Sequence, residues 1–311
     1  MSYVINHSPT GVYKNTFKRL PASPPFCSFL QIFLVMIFSN LKTPSISKSF
    51  EKLTPSKLPV VALIMSVFEH WEYTCDALRS YFLSLDDRYQ YILVVIDDCS
   101  LDKTSEYIVD EIQNKENVVY LRFKDNGGLT RLWNYGVDYC LKRLQAEYIF
   151  LVNNDILIPK GVLGDLVEGL KNKGQAVIGP LTNCPGFHQK TQDVRIFLKD
   201  YQPSHLDQDI ERVSQSLVSH QVEDVDEING FFWGGYCEVF MKNVFWRWGK
   251  TVYYFNPFFR NLRNEREFQG RLRQKGGRVL LAANSFVFHY KDISMNRVNT
   301  RRIDHKWIYR K

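Results

Sequence analysis

An apolar run at residues 91–96 ends abruptly in two adjacent carboxylates, Asp97 and Asp98. Burying one carboxylate costs free energy, and a second one beside it adds charge repulsion. Such a pair is expected to have a use, since a carboxylate at a strand end can accept hydrogen bonds from a base or a ribose. Turn formation and helix capping are the alternatives, because Asp is common at both. For Asp102 and Thr104, which follow closely, both interpretations stay open.

A second apolar run, residues 147–152, ends in Asn153, Asn154 and Asp155. Oxygen ligands at a neighbouring strand end can hold a hard divalent cation. In doubly wound parallel sheets, ligands bind beyond the carboxyl ends of the strands. The two clusters together predict a pocket for a nucleoside diphosphate and its metal. The chain contains neither GxGxxG nor GxxxxGK[ST], which disfavours dinucleotide and P-loop sites.

The elements that would position these clusters alternate between strands and helices from residue 59 onward. Continuous apolar runs are typical of parallel strands that are covered on both faces. The pattern therefore predicts an α/β fold with a doubly wound, mostly parallel sheet. The predicted strands are residues 60–68, 91–96, 118–123, 147–152 and 176–180, and the predicted helices are residues 73–85, 103–114, 129–144 and 162–172. Residues 182–226 are polar and are predicted to be irregular.

The two ends of the chain differ from its body in charge and composition. The overall net charge is +7, of which residues 1–58 carry +6 and residues 291–311 carry +5, so residues 59–290 carry −4. This distribution does not support a nucleic-acid footprint on the folded body. Basic ends fit either loose contact with an anionic membrane or solvated tails. The apolar run at residues 26–38 is too short to span a bilayer, so residues 1–58 are expected to be a poorly ordered or membrane-touching extension.

Composition places the chain among globular proteins of a reducing compartment. Hydrophobic residues make up 45% of 311, which is enough for a substantial core. The six cysteines occur singly, without a CxxC pair, and predict reduced thiols in a cytoplasmic location rather than a zinc site. Four tryptophans are expected in the core rather than against a sugar: Trp133, Trp233, Trp246 and Trp248.

Several segments, in order, resemble the family-2 glycosyltransferases with the GT-A fold. VVIDDCSLDKT resembles their VVDDGSTDGT segment, and VVALIMSVFEHWEY lies where they carry the first strand and its turn. NGGLTRLWNYGV resembles N-x-G-x-x-x-A-x-N-x-G, and YIFLVNNDILI resembles the strand with a DxD-type element. FFWGGYCEVFMKNVF and FNPFFRNLRNEREFQGRL resemble the acceptor-side stretch and FDExFFxYxEDxDLxxRL. The resemblance covers residues 59–290 and implies a nucleotide-sugar half, residues 59–181, and an acceptor half, residues 182–290.

The resemblance implies roles for residues on the donor side. Asp97 and Asp98 match the acidic pair that recognises the base and ribose of a sugar nucleotide. Asp155 matches the last acid of the DxD element, which binds the metal, with Asn153 at the first position and Asn154 between them. Residues Asn126, Gly128 and Arg131 are also placed with the donor. For these last three, a tight turn and a surface salt bridge remain the alternatives to phosphate contact.

The resemblance also implies a catalytic base and a second metal ligand. Glu265 falls on the Asp of the ED pair, which is the usual general base, and Asn264 replaces the preceding Glu. Glu267 matches a further acid and is the fallback base. His289 lies where some members place a histidine near the metal.

These expectations describe a glycosyltransferase that moves a sugar from a nucleotide-sugar donor to a saccharide or lipid-linked acceptor with inversion, using Mn²⁺ or Mg²⁺. Cell-envelope polysaccharide synthesis would be its setting. A sugar-phosphate nucleotidyltransferase would need a Gly-rich, Arg-bearing loop that MSVFEHWEY lacks. A degenerate nucleotide- or glycan-binding module is the remaining alternative, supported by Asn153, Asn256 and Asn264.

Overall fold

A computed structural model of the protein describes residues 44–183, 206–217 and 221–290. Predictions for residues 26–38 and 291–311 lie outside the described residues. Within them the chain forms a nine-stranded, mixed sheet with helices on both faces. The predicted α/β fold with a large, mostly parallel central sheet is thus confirmed.

The strands and helices predicted between residues 60 and 180 all form, in the predicted order. The strands are β1 (Ile46–Lys52), β2 (Val60–Val67), β3 (Gln90–Asp97), β4 (Val118–Phe123), β5 (Tyr148–Asn153), β6 (Ile156–Leu157), β7 (Ala176–Leu181), β8 (Val222–Asp224), β9 (Phe232–Tyr236), β10 (Trp246–Trp248), β11 (Thr251–Tyr253), β12 (Arg278–Phe286) and β13 (Phe288–His289). The helices are α1 (Trp71–Ser84), α2 (Thr104–Ile112), α3 (Leu129–Tyr139), α4 (Val162–Leu170), α5 (Leu206–Ser216), α6 (Cys237–Lys242) and α7 (Asn264–Gln274), and a π-helical turn, Cys140–Leu144, continues α3.

The strand order in the large sheet is β1-β4-β3-β2-β5-β9-β7-β12-β8. Strands β4, β3, β2 and β5 run parallel, which is the arrangement the apolar runs predict. Alternate residues of β2 enter opposite layers: Val61 and Leu63 face the core under α1 and α4, whereas Ala62 and Ile64 face the core under α3. Both faces of the central strands are therefore buried, which explains why their sequences read as unbroken apolar runs.

Residues 46–52 belong to this sheet, which corrects the expectation that residues 1–58 form a separate extension. The strand β1 pairs antiparallel with β4 at the sheet edge, and Phe50 packs on Tyr120 with ring centroids 5.6 Å apart. Most of its side chains face solvent, and only Ile46 and Phe50 are half-buried. An edge strand of this kind has the polar composition of a linker, so composition alone did not reveal it.

The antiparallel strand β9 joins the two halves of the sheet by lying between β5 and β7. A Cβ atom at Gly234 would lie 2.2 Å from the Ile149 carbonyl oxygen, and one at Gly235 would lie 2.6 Å from that of Ala176. Consecutive glycines are thus needed where three strands pack closely. Residues 206–216 and 222–224, predicted to be irregular, instead form α5 and β8.

The tryptophans divide into two groups. Trp133 and Trp233 are buried with ring centroids 6.0 Å apart, as predicted. Trp246 and Trp248 are instead 41% and 50% exposed, so the prediction that they are core residues is wrong. Among the described residues, no helix is both long enough and apolar enough to cross a membrane.

Candidate functional site

The two predicted clusters lie at one edge of the sheet because their strands flank β2. Asp97, the last residue of β3, is in register with Val67, and Asn153, the last residue of β5, is in register with Ser66. Parallel neighbouring strands end at the same edge, so the residues that follow them are close together. The candidate residues that follow β3 and β5 lie at this edge.

Asp97 is fully buried, and its carboxylate is held entirely by the protein. One carboxylate oxygen accepts a hydrogen bond from the Ser100 amide at 2.8 Å. The other accepts hydrogen bonds from the Ser105 and Tyr120 hydroxyls and lies 3.3 Å from the Arg122 guanidinium. The carboxylate thus shapes the turn after β3 and has partners without any ligand.

Asp98 fastens the end of β3 to the loop before α3. Its two carboxylate oxygens accept hydrogen bonds from the amides of Gly127, at 2.9 Å, and Gly128, at 2.7 Å. Burial raises the pKa of Asp98 to about 6, although these two amide donors and the nearby Arg131 act in the opposite direction. The side chain is 2% exposed, so it also has its partners within the chain.

The Asp97–Asp98 pair thus has partners within the protein, and the expectation that it binds a donor stays a prediction. Each carboxylate accepts at least two hydrogen bonds from the protein, and each lies within 4 Å of an arginine. Hydrogen bonds and opposite charges stabilise the buried ionised form and offset the repulsion. The pair fixes two turns at the edge of the site.

Arg131 and Asn126, also assigned to the donor, have partners within the chain as well. Arg131 is buried, donates to the Asp125 carboxylate at 2.8 Å, and stacks over Phe123 at 5.1 Å. Asn126 accepts a hydrogen bond from the Arg260 guanidinium at 2.6 Å. Arg131 thus forms a salt bridge with Asp125, and its guanidinium fills the space beside Gly127; contact with a diphosphate stays a prediction.

A segment that sequence reasoning did not single out closes the start of α3. The Asn261 side chain accepts a hydrogen bond from the Leu129 amide at 3.0 Å, and the Arg260 carbonyl accepts one from Thr130 at 3.0 Å. Amides in the first turn of a helix lack partners in the helix itself, so these contacts satisfy them. The amides of this helix start are bound by the chain's own acceptor half.

At the end of the neighbouring strand, Asn154 is held through its side chain and Asn153 through its backbone. The Asn154 side chain donates to the Thr74 hydroxyl on α1 at 2.8 Å and is buried. Asn153 is half-buried, and its backbone amide donates to the Phe231 carbonyl at 2.8 Å. Asn154 therefore anchors this edge to α1.

Asp155 and His289 are brought together by a short antiparallel ladder between β6 and β13. Ile156 lies opposite His289, and the Tyr290 amide donates to the Asp155 carbonyl at 2.9 Å. The Nε2 atom of His289 lies 3.3 Å from Oδ1 of Asp155. Both side chains are less than a tenth exposed, and Oδ1 of Asp155 and Nδ1 of His289 have no hydrogen-bond partner among the described residues.

The chemistry of this pair suits a divalent cation. Buried polar atoms without partners are costly and uncommon, and a carboxylate oxygen with an imidazole nitrogen suits Mn²⁺. The described part of the chain holds no group of three or more His, Cys, Asp or Glu side chains arranged for a metal. Two protein ligands suffice where water and substrate phosphates supply the remaining positions.

Contacts with Phe231 and Asn183 hold His289 in place. Its ring stacks on Phe231 with centroids 5.1 Å apart and an interplanar angle of 18°. The Asn183 side chain accepts from the His289 amide at 2.8 Å and donates to its carbonyl at 3.1 Å. Such partners fix the position of a ligand side chain, and neither Phe231 nor Asn183 was among the predicted site residues.

Glu265 lies in the first turn of α7, with its carboxylate against the backbone of Gly230. A Cβ atom at Gly230 would lie 3.0 Å from Cδ and 3.2 Å from Oε2 of Glu265. Burial raises the pKa of Glu265, and Glu227 acts in the same direction. Because Gly230 precedes Phe231, which stacks on His289, two consecutive residues link the carboxylate to the Asp155–His289 pair.

The Glu267 carboxylate is paired with another side chain, and its assignment as the fallback base stays a prediction. Its carboxylate pairs with the Arg271 guanidinium at 2.6 Å, and Arg271 also donates to the Tyr254 carbonyl at 2.8 Å. Residues two apart on a helix point about 200° apart, so Glu267 faces away from Gly230. Through Arg271, Glu267 links α7 to Tyr254 in the segment that precedes the helix.

Comparisons with known proteins agree with this fold. Residues 62–212, just under half of the chain, match the family model described as glycosyl transferase family 2. No curated protein sequence matches the chain.

Solved structures match at low identity. S. aureus TarS residues 1–349 in complex with UDP has a TM-score of 0.51 and 16% identity, covering 73% of this chain and 59% of that one. GalNAc-T7 with UDP, GalNAc and Mn²⁺ has a TM-score of 0.52 and 14% identity, covering 87% and 53%. The mannosyltransferase PcManGT from Pyrobaculum calidifontis, in complex with GDP-Man and Mn²⁺, has a TM-score of 0.52 and 11% identity, covering 85% and 65%. The chain spans less than two thirds of each of these proteins, and at such identities they report on the fold alone. Residues 62–212 thus resemble glycosyl transferase family 2, and the described fold is of the GT-A type that these structures share.

Proposed function

We propose that the protein transfers a sugar from a nucleotide-sugar donor to a saccharide or lipid-linked acceptor with inversion, on the cytoplasmic side of a membrane. The observation that carries this proposal is the Asp155–His289 pair, whose buried, partnerless atoms lie at the carboxyl edge of the sheet. The family match to residues 62–212 supports the reaction class. Neighbours in complex with UDP, GDP-Man and Mn²⁺ support a nucleotide-sugar donor and a divalent cation.

Asp155 and His289 would hold Mn²⁺ or Mg²⁺ together with the donor diphosphate. A divalent cation there would oppose the negative charge that develops on the leaving diphosphate and contribute several kcal/mol of stabilisation. The stacking of Phe231 and the two Asn183 hydrogen bonds would keep the imidazole oriented toward this position.

Glu265 would act as the general base. An inverting transfer requires the acceptor hydroxyl to lose a proton while it attacks the anomeric carbon, and a positioned carboxylate contributes about 10²- to 10⁴-fold. The raised pKa of Glu265 makes its carboxylate a stronger base than a solvated one. Its carboxylate contacts Gly230 in the turn before β9, and the next residue, Phe231, stacks on His289.

Asp97 and Asp98 would serve the donor site by shaping it. They fix the turn after β3 and the Gly127–Gly128 loop, which border the carboxyl edge of the sheet. Asn153, half-buried at the end of β5, remains a candidate for direct donor contact.

A catalytically degenerate nucleotide- or glycan-binding module is the second candidate. It is favoured by Asn264, which stands where the family has an acid and whose buried amide atoms have no partner among the described residues. Such a module would bind a donor without turning it over.

The test is nucleoside diphosphate release from a panel of UDP- and GDP-sugars with Mn²⁺, with Mg²⁺ and with chelator. We expect cation-dependent release by the wild type, loss of cation dependence and of release in Asp155→Ala, and no change in the surface control Asp110→Ala. Cation-dependent donor binding without release, measured by calorimetry, would favour the binding module. Unchanged release in Asp155→Ala would contradict the proposed metal site.

A further inference from the structure

Residues 239–264 carry basic and exposed aromatic side chains, most of which the proposed reaction does not use; Arg260 is the exception, because it also donates to Asn126. Residues 239–264 include five basic side chains and no acidic one. Of the ten exposed large hydrophobic residues in the described part of the chain, five lie within these 26 residues. The basic residues are Lys242, Arg247, Lys250, Arg260 and Arg263, and the apolar ones are Met241, Trp246, Trp248, Phe258 and Leu262. We call these ten residues the basic-aromatic surface.

The hairpin of β10 and β11 displays the two tryptophans on one face. Trp246 and Trp248 are two residues apart on a strand, so they point to the same side, and their rings lie 5.8 Å apart at 21°. Tyr253, opposite Trp246 on β11, continues the stack at 6.0 Å. The ring edges that remain exposed are large and apolar, and they are carried on a regular hairpin.

The rest of the surface is connected to this hairpin through α3. Asn134 accepts hydrogen bonds from the amides of Tyr254, at 2.7 Å, and Phe255, at 2.9 Å, just after the hairpin. One and a half turns earlier on the same helix, Leu129 donates to Asn261 at 3.0 Å. These anchor points are about 7 Å apart along the helix axis, so Phe258 and Leu262 emerge beside the hairpin.

The chemistry of the surface favours one kind of occupant. Exposed Trp, Phe, Leu and Met side chains interleaved with Lys and Arg are typical of segments that lie in the interface of an anionic bilayer. A second copy of the chain would bring like charges together, because no acid lies between residues 239 and 264. Trp246 stacks on Trp248 and on Tyr253 rather than presenting free ring faces, and Leu and Met give no stacking platform, which disfavours a glycan or a nucleic acid.

We propose that the basic-aromatic surface docks on anionic lipid, with Trp246 and Trp248 inserted among the headgroups. The site is separate from the basic ends of the chain. Leu262 precedes Glu265 by three residues, so docking would bring a lipid-linked acceptor to the candidate base from this side. That consequence alone rests on the proposed function.

The experiment is sedimentation of the full-length protein with phosphatidylcholine vesicles, with and without phosphatidylglycerol. Since residues 1–58 and 291–311 are present in every variant, differences between variants report on the surface. We expect Trp246→Ala/Trp248→Ala to weaken binding to the anionic vesicles about tenfold or more, and Arg247→Glu/Lys250→Glu to do the same. The matched controls Leu83→Ala/Leu101→Ala and Lys103→Glu/Lys160→Glu, which change exposed residues elsewhere, should bind like the wild type.

Several outcomes would overturn the proposal. Equal binding by the wild type and both surface variants would do so, as would wild-type binding that is indifferent to phosphatidylglycerol. Self-association in sedimentation velocity that the tryptophan variant abolishes, without a vesicle effect, would assign the surface to a second copy instead. Circular dichroism of each variant checks folding, and because the charge variant leaves both tryptophans in place, it keeps the test valid if the tryptophan variant unfolds. Vesicle binding needs no turnover, so its failure is distinguishable from failure of the proposed function.

Discussion

Glu265 and Glu267 show how two similar carboxylates acquire different roles from their position on one helix. Glu265 is half-buried against Gly230, which precedes the Phe231 that stacks on His289, and its pKa is raised. Glu267 is on the opposite side of α7 and is neutralised by Arg271. Only the first carboxylate is placed to take a proton at the carboxyl edge of the sheet.

We expect Glu265→Gln to lower the rate of sugar transfer by about 10²- to 10⁴-fold, because the amide cannot accept the proton. Donor binding should be retained, since Glu265 is not one of the proposed metal ligands. Glu267→Gln should keep most of the activity and instead lower the free energy of unfolding by about 1 kcal/mol through loss of the Arg271 ion pair. Single-turnover kinetics and urea unfolding measure the two effects, and an inactive but stable Glu267→Gln would reverse the assignment.

The pH dependence follows from the same burial. A general base must be ionised, so kcat/KM should rise with pH as Glu265 loses its proton. Because its pKa is raised from 4.5, we expect the midpoint of this acid limb to lie above pH 4.5. The limb should disappear from the residual activity of Glu265→Gln, and a limb that persists there would belong to another group.

At the scale of elements, Gly230, in the turn before β9, packs closely against α7 because it has no side chain. A Cβ atom there would lie 3.0 Å from the Glu265 carboxyl carbon, closer than ordinary contacts allow. Gly230→Ala should therefore displace this carboxylate and lower kcat more than the affinity for the donor. The control is Gly270→Ala on α7, where a Cβ atom meets nothing within 4 Å; it should stabilise the helix by about 0.5–1 kcal/mol and leave kcat unchanged. Equal kinetics in the two variants would remove Gly230 from the site.

The junction between β3 and the loop before α3 should make stability depend on pH. Burial raises the pKa of Asp98 to about 6 from 3.8, so the folded protein binds this proton more tightly than the unfolded chain. The stability contributed by protonated Asp98 is fully present below pH 3.8 and is lost as the pH rises through about 6.

Compared with Asp98→Asn, which cannot titrate, the wild type should lose on the order of 3 kcal/mol of unfolding free energy across this interval. Urea unfolding at several pH values measures the difference. Asp102→Asn, at an exposed position, is the control and should follow the wild type. A difference between wild type and Asp98→Asn that does not change with pH would contradict the assigned pKa.

At the scale of the whole molecule, the edge strand β1 and the residues that follow it belong to the folded domain. Thr54 donates twice to the Asn117 side chain, at 2.8 and 3.0 Å, and Gln90 donates to the Thr54 carbonyl. Removing residues 44–58 would remove the β1–β4 ladder and expose the edge of β4.

A chain that begins at residue 59 should therefore be less stable and more prone to aggregate than one that begins at residue 44. Thermal unfolding and light scattering of the two chains test this, with the full-length protein as the reference. Equal stability would mean that β1 contributes no net free energy to the domain.

The sequence predicted the parallel core and showed the resemblance to a family because both depend on local patterns. Strands buried on both faces require unbroken apolar runs, and five such runs correspond to β2, β3, β4, β5 and β7. The short motifs at their ends identified the carboxyl edge where Asp155 lies. The edge strand β1 and the helix α5 were missed because a polar, half-exposed element has no such pattern.

Only the tertiary structure decided which carboxylates remain available for chemistry. Asp97, Asp98 and Glu267 have the residue types of a binding site, yet Tyr120 on β4 donates to Asp97, Gly128 before α3 donates to Asp98, and Arg271 one turn along α7 pairs with Glu267. Asp155 and His289 are 134 positions apart in the chain, and the β6–β13 ladder brings them to 3.3 Å without giving every buried atom a partner. A sequence specifies which groups a chain carries, whereas the packing of remote segments determines which of those groups are already satisfied.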